Sequence, residues 1–142
     1  MRLLLDTNVI LDVLLDRAPH SGHSSKVLAA VEMGQASGFV GATSITTIYY
    51  LAAKQIGTQG AVQAVDRLLS LLEVAPVTRS VLEDALRAKF ADFEDAVLFA
   101  AAKNSEVEAI ITRDPKGFKG ADIPVLSPEE LVAVLIARES DV

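Results

Sequence analysis

Cysteine is absent from the chain. That excludes disulfides and thiolate metal sites and is compatible with a reducing compartment. Long apolar runs are missing as well. Leu3, Leu4 and Leu5 follow Met1 and Arg2, but Asp6 ends the run, so no signal peptide is visible. The stretch from Leu131 to Ala137 is far too short to span a bilayer. The expected location is the cytoplasm, with no membrane association. An excess of basic charge is lacking too: 13 Lys and Arg face 19 Asp and Glu, a formal charge of −6. Phosphate affinity comes from lysine and arginine, so this balance argues against holding nucleic acid by bulk charge. It leaves room for an enzyme with a local basic rim around an acidic metal site, where bound cations invert the local sign. No G-x-G-x-x-G or Walker lysine is present, and no nucleophile elbow. His20 and His23 are a weak metal pair with no third soft ligand nearby.

What is present is apolar. Of 142 residues, 51% are hydrophobic, and the mean hydropathy is +0.36. Disorder is not expected at this composition. The length suits one domain over residues 1–142 with one core, and no repeat or long linker divides it. Either nearly all of the apolar surface lies in that core, or some of it lies at a subunit interface.

Apolar runs and breakers alternate along the chain. Short apolar stretches are expected as strands at Arg2–Leu5, Gly38–Gly41, Glu73–Val77, Ala109–Thr112 and Pro124–Leu126. Helices are expected at Asn8–Asp16, Ser24–Gln35, Ser44–Gln55 (stopped at Gly57), Gly60–Leu72, Ser80–Lys89 and Glu94–Lys103. Ala96 to Ala102 is apolar all round, so that helix should be buried on most sides. A last helix opens at Ser127, Pro128, Glu129 and Glu130 with capping chemistry. Strands alternating with helices imply a three-layer α/β/α fold with a central parallel sheet of about five strands.

Ligands of open parallel sheets bind beyond the carboxyl ends of the strands. Asp6 closes the first expected strand, Asp114 follows the fourth, and Asp92, Glu94 and Asp95 open the buried helix between the third and fourth. Each also has a local reading. Asp6 and Asp92 suit N-caps, Asp95 a capping-box position, Glu94 and Asp95 the positive end of a helix dipole, and Asp114 a turn before Pro115. Their shared sheet edge favours a common site. Carboxylates gathered there repel, and Mg²⁺ or Mn²⁺ relieves the repulsion using oxygen ligands and waters. Such an ion activates water and stabilises the leaving oxygen of a phosphodiester. Asp12 and Asp16, four apart, are expected on the solvated face of the first helix, Asp12 being the one with some chance of reaching the site. Arg113, Lys116 and Lys119 form the densest basic cluster, either a solvated turn or an RNA-guiding rim. Residues Ile45 to Leu72 carry more apolar side chains than one buried face needs, which points to a homodimer surface.

Asp6, Thr7, Asn8, Val9, Ile10, Leu11 and Asp12 resemble the opening motif of PIN domains. Asp92, Phe93, Glu94, Asp95 and Ala96 resemble the motif that opens their buried helix. Ile111, Thr112, Arg113 and Asp114, followed by Gly117 and Phe118, resemble their last acidic motif. Arg17, Pro19 and the segment from Ser44 to Lys54 are similar to one bacterial subgroup. The resemblance covers nearly the whole chain. It implies a magnesium- or manganese-dependent ribonuclease, in many members the toxin of a toxin–antitoxin pair with an antitoxin protein as partner. It also implies Asp6, Asp95 and Asp114 as catalytic metal ligands, with Thr7, Asn8 and Thr112 in support. Many members carry a glutamate on the third helix, where the alignment puts Tyr49; Asp92 would then supply the missing charge. A PIN-like RNA- or protein-binding module with weak or no catalysis is the alternative.

Overall fold

The structure, a computed structural model, describes residues 1–140. A five-stranded, wholly parallel sheet has the order β3-β2-β1-β4-β5. Its strands are β1 (Arg2–Leu5), β2 (Ser37–Gly41), β3 (Glu73–Ala75), β4 (Ala109–Ile111) and β5 (Val125–Leu126). Among the described residues six α-helices cover it: α1 (Thr7–Leu14), α2 (Ser21–Glu32), α3 (Ala42–Leu71), α4 (Arg79–Arg87), α5 (Phe93–Asn104) and α6 (Pro128–Ser140), with a short 3-10 turn at Pro115–Phe118.

The near-continuous apolar strands follow from burial on both faces. Successive side chains point to opposite sides of a strand, and two cores result. Leu3, Leu5, Val40, Ala109 and Ile111 pack with residues of α1, α2, α3 and α6. Leu4, Phe39 and Ile110 point the other way, into residues of α4 and α5. The three-layer architecture expected from the sequence is the one observed.

The expected helix break at Gly57 is also present. That glycine sits inside α3 with φ 82°, a left-handed conformation that L side chains avoid, and divides α3 into two arms. On α5, Ala96, Val97, Leu98, Ala100, Ala101 and Ala102 are all buried, so its all-round apolar pattern reports burial as expected. At α6 the Glu130 amide donates to Ser127 Oγ at 3.0 Å and the Ser127 amide to Glu130 Oε1 at 2.9 Å, a complete capping box.

What positions the site is the strand order. From β1 the chain builds outward through β2 to β3, then returns to the other flank of β1 as β4 and β5. The crevice where that order reverses lies at the carboxyl ends of β1 and β4, the general ligand position of open α/β sheets.

Candidate functional site

Asp6 is the residue after β1, and its main chain still belongs to the sheet edge, with its N–H donating to the Ile111 carbonyl of β4 at 2.9 Å. Its side chain is buried and doubly held. Oδ1 accepts from the Thr7 N–H at 2.7 Å and Oδ2 from the Thr112 hydroxyl at 2.8 Å. Asp6 is thus the N-cap of α1, and the local reading and the site reading hold together. Burial pushes its carboxyl above the ordinary value, against the pull of the two hydrogen bonds.

Thr112, fully buried, joins the two strand ends. Besides donating to Asp6 it accepts from the Asp114 N–H at 3.0 Å and from Asn8 Nδ2 at 3.4 Å. Asn8 Oδ1 in turn accepts from the Arg113 N–H at 3.3 Å. The start of α1 and the loop after β4 are therefore stitched by side chains, which sets Asp114 beside Asp6.

Asp95 comes from the first turn of α5. Asp92 caps that helix, accepting from the Asp95 N–H at 3.1 Å. Burial, followed by the charges of Asp6, Asp92, Asp114 and Glu94, pushes the Asp95 carboxyl from 3.8 to about 6. Gly117 shows how close the approach is: a Cβ there would lie 2.5 Å from Asp95 Oδ2 and 3.9 Å from Asp114 Oδ2. Asp6, Asp95 and Asp114 therefore face one another across the switch crevice. An open cleft of about 550 Å³ leads to it, lined among others by Asp6, Asp95, Ser44, Thr47, Arg17 and Arg113.

A model of the PIN domain family matches residues 2–116. The chain belongs to the PIN domain family. Ribonuclease VapC1 of Aquifex aeolicus (strain VF5) is 27% identical over 134 residues, covering 91% of this PIN domain and 92% of the relative. Among solved structures, a toxin–antitoxin complex from Klebsiella pneumoniae superposes with a TM-score of 0.68 at 22% identity, covering 89% of this chain and 97% of its own. Mycobacterium tuberculosis VapC20, a Sarcin-Ricin loop cleaving toxin, does so with 0.66 at 16% identity, covering 84% and 95%. At these identities the structures show a shared fold.

Several residues of this PIN domain lie elsewhere than their spacing suggested. Asp12 is not on a solvated face. It is fully buried between the guanidinium groups of Arg17 and Arg113, because α1 is enclosed on nearly all sides. Asp16, by contrast, is exposed beyond the helix with φ 47°. The basic loop is divided in placement. Arg113 turns inward to Asp12 and lines the cleft, whereas Lys116 and Lys119 are exposed and do not line it. On α3 the cleft is lined by Thr43, Ser44, Thr46 and Thr47, while Tyr49 is half-buried outside the lining. Arg17, Ser44 and Thr47 escaped the reading by residue chemistry. Arg17 was notable only as a subgroup mark, and the α3 hydroxyls carry no signal apart from their turn-by-turn spacing. His20 and His23 do not line the cleft.

The donor set suits a hard divalent cation: all oxygen, with mutual repulsion that a cation removes. Among the described residues no group of three or more acidic or imidazole side chains is placed so that it could hold a metal ion by itself. Mg²⁺ needs none, since it keeps several waters and takes one or two carboxylates. The glycine at 117 leaves open the space where Asp95 and Asp114 approach.

Proposed function

We propose that this PIN domain is a Mg²⁺- or Mn²⁺-dependent endoribonuclease that hydrolyses RNA phosphodiester bonds, and that it is the toxin of a toxin–antitoxin pair. The observation that carries the reading is the raised Asp95 carboxyl, pushed to about 6 by burial and by the acids facing it at the switch crevice. Burial is the larger cause and the facing acids add to it; a divalent cation would relieve both, and the close approach of Asp95 and Asp114 at Gly117 supports the same reading from geometry. Family membership and the 27% identity to a protein named as a ribonuclease support the same reading.

In this reading Asp6, Asp95 and Asp114 hold the ion and Asp92 adds charge beside Asp95. The ion would lower the pKa of a water and neutralise charge on the phosphodiester. Thr112 and Thr7 keep the Asp6 oxygens aimed, and Asn8 keeps the Asp114 loop against α1. Arg113 lies on the cleft wall for RNA, and Lys116 and Lys119 are free to guide the strand from outside. Water adds to phosphorus, the bond from phosphorus to the ribose oxygen breaks, and that oxygen leaves with a proton. An antitoxin protein and a second copy of the chain are the proposed partners, and the cytoplasm the proposed location. No helix among the described residues is long and apolar enough to cross a membrane.

One observation favours a second reading, a binding module with weak catalysis. The α3 wall of the cleft presents hydroxyls and no carboxylate. A single assay separates the two. Purified chain is incubated with single-stranded RNA with and without Mn²⁺. The nuclease reading expects cleavage that needs the ion and disappears in Asp95→Asn at unchanged fold. RNA bound but uncut by the wild type would favour the binding module.

A further inference from the structure

Asp12 is enclosed in the protein with none of its side chain exposed. A buried carboxylate needs a counter-charge, and one well-placed guanidinium supplies it. Here two converge. Arg17 Nε donates to Asp12 Oδ1 at 3.0 Å, while Arg113 donates through Nε to Oδ2 and through Nη2 to Oδ1 at 3.2 Å. Neutralising Asp12 therefore does not account for both, and the cluster keeps one net positive charge.

Both arginines also reach outward. Their side chains retain 40% and 29% exposure, and both line the cleft that holds Asp6 and Asp95. A guanidinium has five N–H donors. Arg17 uses one on Asp12 and one on the Asn8 carbonyl at 3.4 Å; Arg113 side-chain donors go only to Asp12. On each, the remaining donors have no protein acceptor among the described residues.

We infer that Arg17 and Arg113, locked in place by Asp12, form a fork that binds a backbone phosphate of the RNA on the cleft wall. The inference rests on the nuclease reading and adds to it where the substrate is gripped. Planar guanidinium donors match phosphate oxygens in pairs. Fixing both groups beforehand removes the ordering cost that free surface arginines carry on binding. An acidic cleft in a chain of net charge −6 repels a polyanion, and a rigid positive wall beside the acids offsets that. Asp12 is a positioning residue; the arginines make the contact.

The test measures binding of a labelled single-stranded RNA by anisotropy over a salt series with Mg²⁺ present. The full chain carries Asp95→Asn so that cleavage is absent. Adding Arg17→Gln should weaken binding about 5- to 20-fold and reduce the slope of log Kd against log salt by about 0.7, one phosphate contact. Arg17→Lys should keep the slope and lose affinity a few-fold, since charge stays and the fork goes. Asp12→Asn, its fold checked by thermal melting, should also weaken binding. Simple electrostatics expects the opposite, because a negative charge has been removed from behind the cleft wall. Unchanged affinity and slope in Arg17→Gln, or tighter binding in folded Asp12→Asn, would overturn the fork. So would failure of the Asp95→Asn chain to bind RNA. If the fork variants behave as expected but the wild type cuts no RNA, the fork stands and the nuclease reading falls.

Discussion

Thr112 Oγ1 donates to Asp6 Oδ2 at 2.8 Å, and the two residues stand 106 positions apart in the sequence. The same oxygen accepts the Asp114 N–H, so one buried hydroxyl sets the spacing between two candidate metal ligands. Thr112→Val preserves shape and removes the hydroxyl. It should cost about 1–3 kcal/mol by leaving buried partners unpaired, while Thr112→Ser costs less. Without the donated hydrogen bond the Asp6 carboxyl rises further, so Mn²⁺ affinity near pH 6 should fall more in Thr112→Val than in Thr112→Ser. Calorimetry and thermal melting check both.

The Asp95 carboxyl makes stability depend on pH in a defined direction. Its folded pKa of about 6 lies above the ordinary 3.8, so the folded chain keeps a proton that the unfolded chain releases. The contribution is fully present below pH 4 and is lost as pH rises through about 6. Asp6, also raised, adds in the same sense. In EDTA, Asp95→Asn should therefore gain on the wild type between pH 5 and 7.5. After allowance for solvent screening the gain is about 1–2 kcal/mol, roughly 3–6 °C in Tm. Mn²⁺ competes with the same proton, so wild-type metal affinity should rise across that range. A constant difference in Tm at both pH values would refute the assignment.

Asp92 has a cap role that Asn can fill and a charge that Asn cannot. Asp92→Asn should leave Tm nearly unchanged, and Asp92→Ala should cost about 1 kcal/mol. Loss of the charge beside Asp95 should weaken Mn²⁺ binding about 10-fold in Asp92→Asn. A carboxylate restored to the α3 wall should recover part of it. Because Thr47 lines the cleft and Tyr49 does not, Thr47→Glu should recover affinity and Tyr49→Glu should not. Equal affinity in wild type and Asp92→Asn would leave Asp92 as a cap alone.

Tyr50, Ile56, Val62 and Leu69 on α3 are each about half exposed, more apolar surface than a helix needs once its inner face is packed. The chain should sediment as a dimer at micromolar concentration, and Ile56→Asp combined with Val62→Asp should give a folded monomer. A monomeric wild type would assign this surface to another partner.

Some of this protein was readable one residue at a time. The five strands, the helix break at Gly57 and the buried α5 follow from apolar runs, a glycine and an alanine-rich stretch, because each is decided by local conformation or by burial of a whole segment. The acids at strand and helix ends were legible for the same reason: a parallel sheet fixes where its strand ends lie. The sequence could not decide which way a side chain on an enclosed helix points. Asp12, with Asp16 at i+4, reads as a solvated stripe, yet α1 has almost no solvated face and Asp12 is paired with arginines 5 and 101 positions away. Nor could it choose which residue of α3 faces the cleft. A turn of helix brings Ser44 and Thr47 to the wall and leaves Tyr49 aside. One residue of phase on a helix is about 100° of rotation, and that phase is set by packing against the sheet, which only the tertiary structure decides.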